Sequence, residues 1–128
     1  FMKTAVGLWI DHSKAVIVCV TGEEEEVKLI SSNLEKPRPS PTDDVRQRGW
    51  TEHLNNYYDG VISSLGNAKI LLIMGPGEAK GELKKRLERN HLNGREIDIE
   101  TTDKLTDRQI VAKVRDHFLK RISPVIVR

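Results

Sequence analysis

Asp11 closes the apolar run Gly7-Leu8-Trp9-Ile10, a position at which a metal-dependent nuclease sets one of its carboxylates. Two-metal phosphodiester chemistry needs several such groups within a few ångströms of one another. The other central apolar run ends in Met74-Gly75 without an acid, and Glu52 and Asp59 face solvent as readily as a cation. A single aspartate in a short polar turn caps backbone amides instead. Cys19 lies inside a strand pattern, where a lone cysteine acts as a small core hydrophobe. His12, His53, His91 and His117 fall on separate elements without ligand spacing, and no thiolate cluster joins them, so zinc is not expected. Ser13, Ser63 and Ser64 lack the strand–turn–helix setting of an activated serine. No catalytic residue, metal ligand or cofactor is assigned, and no small-molecule substrate is identified.

Two features point to anions. Gly75-Pro76-Gly77-Glu78-Ala79-Lys80 takes an apolar strand directly into a helix. Such a turn aims unpaired first-turn amides, with the helix dipole behind them, beyond the strand's carboxyl end. Gly75, Gly77 and Lys80 are the candidate residues of that anion site. The Gly-x-x-x-x-Gly-Lys-Ser/Thr spacing of a phosphate-binding loop is absent, and a tight turn needing glycine conformations is the alternative. The second feature is a set of cations. Lys36, Arg38, Arg46 and Arg48 stand on a proline-rich stretch, while Lys84, Lys85, Arg86 and Arg89 crowd one expected helix. A loop with such cations and few apolar anchors suits a phosphate backbone, which rewards charge more than shape. Glu82, Glu88 and Asp116 interleave with the helical cations, so those faces read equally as salt-bridged surface. Trp50, beside the stretch, either stacks on a base or packs at the edge of the core.

Hydrophobic periodicity supplies the elements that carry these residues. Ala5–Ile10, Ala15–Val20 and Glu25–Ile30 read as strands joined by turns too short for a helical crossover, which makes a meander of antiparallel neighbours. Residues 31–50 contain Pro37, Pro39 and Pro41 and few apolar side chains, and are expected to form a long loop. From Thr51, Leu54, Tyr57, Tyr58, Val61, Ile62 and Leu65 repeat at helical spacing up to Gly66-Asn67. Lys69–Met74 is an unbroken apolar strand of the kind covered on both faces. A helix follows from about Glu78, with Ala79, Leu83 and Leu87 as its stripe, closed by His91-Leu92-Asn93-Gly94. Ile97 and Ile99 alternate with acids as an edge strand does. Thr106-Asp107-Arg108-Gln109 fits a capping box opening a last helix, which buries Ile110, Val111, Val114, Phe118 and Ile122 and stops before Pro124. The order β-β-β-α-β-α-β-α predicts an α/β fold with a mixed five-stranded sheet ordered 3-2-1-4-5 and three helices. That is the element order of the ribonuclease H-like architecture.

Three pieces of this chain together resemble the middle domain of the archaeal and eukaryotic peptide-chain release factors and of the Pelota ribosome-rescue protein. They are Gly7-Leu8-Trp9-Ile10-Asp11 before a tight turn, Ile70–Met74 entering Gly75-Pro76-Gly77-x-x-Lys80, and Thr102–Ile110 opening the last helix. Small stand-alone bacterial relatives, often labelled translational machinery proteins, are the nearer likeness, and it covers nearly the whole chain. The resemblance implies the same sheet without nuclease carboxylates, and a ribosomal setting. Release factors carry a Gly-Gly-Gln tripeptide on the loop after the third strand, which positions water against the peptidyl-tRNA ester. Here Gln47 is followed by Arg48-Gly49 and the tripeptide is missing, so hydrolysis does not carry over. Pelota-like members also lack it and act by binding.

The chain has 128 residues, 38% hydrophobic and 31% charged, which fits one soluble globular domain spanning 1–128. No apolar run approaches a membrane span, no signal peptide is visible, and a single cysteine excludes a disulfide framework. Phe1 before Met2 reads as an addition ahead of an initiator methionine. The expected setting is the cytoplasm. The formal net charge of +2 is too small to diagnose a nucleic-acid binder by itself. The first reading is a non-catalytic protein that binds the ribosome or structured RNA through its basic loop. The alternative is a protein-interaction module or homodimer, pairing through an exposed strand edge or the Val125–Val127 tail. A degenerate metal-dependent nuclease is the lesser alternative.

Overall fold

The structure is a computed structural model that describes residues 5–21, 24–32, 43–66, 68–89 and 95–122, the side chains of 21, 43–48 and 119–122 excepted. The tight turn at residues 11–13 joins β1 (Ala5–Ile10) to β2 (Lys14–Thr21), and β3 (Glu24–Ser31) pairs antiparallel with β2, which completes a meander. α1 (Asp43–Leu65) leads to β4 (Ile70–Gly75), and α2 (Ala79–Arg89) leads to β5 (Glu96–Thr101). Both of these strands run parallel to β1, and α3 (Asp107–Ile122) follows. The sheet order is β3-β2-β1-β4-β5, as the element order predicts.

β1 and β4 lie at the centre because they are apolar on both faces, and every residue of β1 is buried. Alternation along β1 sorts the core into two layers. Val6, Leu8 and Ile10 pack under α1 and α2 with Tyr57, Tyr58, Val61, Leu65, Leu83 and Leu87. Ala5 and Trp9 pack on the other face with Ile110, Val114 and Phe118 of α3. Gly7 lies on that second face, where a Cβ would collide with the Val114 side chain, so its missing side chain lets α3 sit close. Cys19 is buried in the α1–α2 layer, as a small hydrophobe should be.

Local chemistry sets the ends of the elements. Asp11 Oδ1 accepts from the amides of Ser13 and Lys14, both at 2.8 Å, which fixes the β1–β2 turn. Gly66, at φ 60°, ends α1 in the left-handed conformation that glycine tolerates. The capping box at α3 forms as its sequence predicts: Gln109 N donates to Thr106 Oγ1 at 3.2 Å, and Thr106 N to Gln109 Oε1 at 2.8 Å. Thr106→Ala is expected to remove about 1 kcal/mol of stability, read as a lower urea midpoint with an unchanged slope.

One boundary differs from the sequence expectation. α1 opens at Asp43, inside the stretch 31–50 expected as loop, and Ser31 belongs to β3. At 23 residues the helix is about 34 Å long, against about 20 Å for a six-residue strand. Tyr57 already reaches the end of β1, its hydroxyl donating to the Asp11 carbonyl at 2.9 Å. The turns of α1 before Trp50 therefore stand beyond the end of the sheet. Asp43–Gly49 has no apolar stripe in its sequence, the signal from which helical spacing is read. Residues 33–42 lie outside the described residues.

Candidate nucleic-acid interface

The loops leaving β1, β4 and β5 and the chain leaving β3 share one end of the sheet, because β1, β4 and β5 are parallel and β3 runs with them. That is the end at which open α/β sheets take ligands. Polar side chains from α1 and α2 converge there. Tyr58 Oη donates to Glu82 Oε1 at 2.5 Å, and His12 Nε2 donates to the same oxygen at 3.2 Å. Ser32 Oγ donates to the His12 carbonyl at 2.9 Å, and His53 Nε2 to the Ser32 carbonyl at 2.8 Å. His12 also meets Trp50 edge-on, with centroids 6.0 Å apart. Burial first, and for Tyr58 the bond to Glu82 next, pushes the Tyr57 and Tyr58 hydroxyls far up, so both stay protonated donors. The network ties the β1–β2 turn, the exit of β3, α1 and α2 into one rigid support.

Beside this support runs a groove of about 330 Å³ between α1 and α2. Trp50, Thr51, Leu54, Asn55 and Tyr58 form one wall, and Glu82, Lys85, Arg86 and Arg89 form the other. Each set repeats at three and four residues, so the groove follows facing stripes of two helices. Arg86 makes a two-pronged pair with Asp59 across it, Nε to Oδ1 at 2.7 Å and Nη2 to Oδ2 at 3.0 Å. The Arg86 bond holds the Asp59 carboxyl below the usual aspartate range. The pair therefore stabilises the fold above the ionisation range of an unfolded aspartate, and that contribution fades as pH falls through the lowered value. Because Asp59 is 48% exposed, the effect is small and screened by salt. Lys85 and Arg89 are exposed and have no ion pair among the described residues. The groove thus offers one half-exposed indole, two uncommitted cations and an arginine paired with Asp59, with Glu82 Oε1 hydrogen-bonded at its inner end by two donors.

The expected site residues distribute unevenly over this surface. Lys85 lines the groove; Lys84, the residue before it, does not. Arg46 and Arg48 lie on the projecting turns of α1 rather than on a loop, and Gln47 lies between them. Lys36 and Arg38 fall outside the described residues. Gly75 is required for space rather than for an unusual backbone conformation: a Cβ there would land on the Ile10 carbonyl oxygen. A Cβ on Gly77 would meet nothing, and its carbonyl accepts from Lys80 Nζ at 2.5 Å. The turn therefore uses the Lys80 ammonium to hold itself. Trp50 packs half-buried at the edge of the core, the structural one of its two expected roles, and lines the groove. Arg86, Arg89, Tyr58 and Trp50 come together only through helix packing; the i, i+3, i+4, i+7 spacing of Glu82, Lys85, Arg86 and Arg89 was the one signal in the sequence.

Among the described residues no three His, Cys, Asp or Glu side chains converge to hold a metal ion, and no helix is long and apolar enough to cross a membrane. No protein-family model matches the chain, and no curated protein does. Solved structures do match. Pelota from Archaeoglobus fulgidus superposes with a TM-score of 0.62 at 15% identity over 94% of this chain and 33% of that one. Pelota from Thermoplasma acidophilum gives 0.55 at 13% identity over 91% and 31%. An archaeal Pelota in a ribosome-bound assembly with ABCE1 gives 0.54 at 17% identity over 91% and 33%. The chain spans about a third of the length of the Pelota structures it matches. At these identities the likeness is one of fold, and it agrees with the middle-domain-like resemblance carried by the sequence motifs.

Proposed function

We propose that this chain is a non-catalytic, translation-associated domain that binds structured RNA of the ribosome. The observation that carries the reading is the α1–α2 groove, where the half-exposed indole of Trp50 faces Lys85, Arg86 and Arg89. An indole face stacks on an unpaired base, and flanking cations neutralise the phosphates beside it. Arg46 and Arg48 lie on the first turns of α1, and Lys36 and Arg38 precede them in the chain. The likeness in fold to an archaeal Pelota in a ribosome-bound assembly supports that setting. The groups that could have done chemistry have structural work: Asp11 caps its turn, and Cys19 is in the core.

Cosedimentation with purified ribosomal subunits, with a structured RNA hairpin as second ligand, tests the reading over a series of salt concentrations. Association is expected to fall with log–log slope of about −3 or steeper, as the release of several counterions requires. No association at low salt, or association indifferent to salt, would overturn it.

A further inference from the structure

We propose that β3 is a self-pairing edge through which two copies of this chain join their sheets into one. Among the described residues the sheet ends at β3 on one side and at β5 on the other. Unpaired strand edges invite another strand, and proteins normally protect them with charge. The two edges differ in how well they do so.

An antiparallel pair of identical strands about a twofold axis normal to the sheet matches residues of like parity, so side chains that share a face in one copy meet that face in the other. On β5 the even positions are Glu96, Asp98 and Glu100. Every such register sets acid against acid, and Asp98 and Glu100 are further engaged by His117 and Lys113 of α3. That edge repels a copy of itself. On β3 the register centred on Val27 sets Glu26 opposite Lys28 of the second copy and Lys28 opposite its Glu26. It also joins Val27 to Val27, Leu29 to Glu25 and Ile30 to Glu24. Centring on Glu26 or Lys28 instead places like charges on the axis. The Val27 register is thus singled out by charge.

The side chains involved are available for it. Glu26 and Lys28 have no ion pair among the described residues. Val27 is 46% exposed and Leu29 63% exposed, on the α3 face of the sheet, where the side chains of a further strand would cover them. Glu25, opposite Leu29 in this register, is drawn aside by Arg115 of its own α3 at 2.5 Å, so its charge does not meet the incoming leucine alone. Directly opposed charges and apolar pairs are what fix the register of antiparallel strands. The pairing uses neither the groove nor the α1 cations and stands apart from the RNA reading.

Sedimentation velocity on the full chain over a wide concentration range tests it. The wild type is expected to dimerise reversibly. Lys28→Glu and Glu26→Lys each turn two attractions into two repulsions and should weaken the dimer about tenfold. The double variant E26K/K28E restores both pairs and should dimerise like the wild type. An equimolar mixture of the two single variants should form a heterodimer that neither forms alone, and circular dichroism confirms that each chain is folded. A wild type that stays monomeric, single variants that dimerise unchanged, or a mixture that gives no heterodimer would each overturn the proposal. A chain that stays monomeric yet captures a basic extended peptide would mean that the edge serves a different partner, and would also overturn it.

Discussion

Replacing both Lys85 and Arg89 with glutamate is expected to weaken RNA association by a hundredfold or more while leaving the fold intact. Lys85 and Arg89 are exposed on α2, and neither has a partner whose loss would leave a buried charge. Surface changes of this kind alter stability by about 0.5 kcal/mol or less. Each phosphate contact through a charged donor contributes about 1.5–3 kcal/mol, so two lost contacts correspond to at least two decades in affinity. The salt slope should flatten as well, by about one unit per lost phosphate contact. The matched control is Lys84→Glu, one residue away and outside the groove, which should move affinity far less. The double variant binding as tightly as wild type, or Lys84→Glu weakening binding as much, would remove the groove from the interface. Filter binding against salt, with thermal melts of each variant, makes the measurement.

The second large effect is structural and distinguishes two glycines that look alike in sequence. Gly75→Ala is expected to destabilise the domain by about 2–4 kcal/mol, whereas Gly77→Ala should be neutral or slightly stabilising. A Cβ at Gly75 strikes the Ile10 carbonyl oxygen, which is main chain and cannot rotate away. Relief requires β1 and β4 to separate where the sheet is most buried. The Gly75 carbonyl also accepts from Thr102 N at 2.9 Å, so a shift there disturbs the approach to α3. At Gly77 a methyl group points into open space and the backbone is in no glycine-only conformation. A domain of this size has a total stability of about 5–15 kcal/mol, so the Gly75 variant should melt many degrees lower. Equal melting of the two alanine variants would contradict the close approach of the two strands.

Much of the architecture is legible because burial leaves a periodic trace. Ile70–Met74 reads as a central strand since both its faces are covered, and Thr106 with Gln109 names its own capping box. The start of α1 leaves no such trace. Asp43–Gly49 carries no apolar stripe, and nearby prolines argue for loop. Asp43 and Asp44 are the one hint, acids placed where the positive end of a helix favours them. The groove is hidden for a different reason. Trp50 and Tyr58 face Lys85 and Arg89 through packing between helices, and no spacing within either helix encodes the distance between them. The support beneath the groove is equally non-local: Glu82 accepts from Tyr58 and from His12, which belong to separate elements.

The two indoles divide the molecule into separate optical regions. Trp9 is 1% exposed and donates through Nε1 to the Asp103 carbonyl at 3.2 Å, deep under α3. Trp50 stands half-covered at the mouth of the channel between the other two helices. Emission from Trp9 is shielded from aqueous quenchers and reports whether the chain is intact. Emission from Trp50 is expected further to the red and open to collisional quenchers, and an aromatic guest laid against it should darken it. Fluorescence from the unlabelled chain therefore separates a loss of structure from the arrival of a ligand, two events that most spectroscopic signals blend.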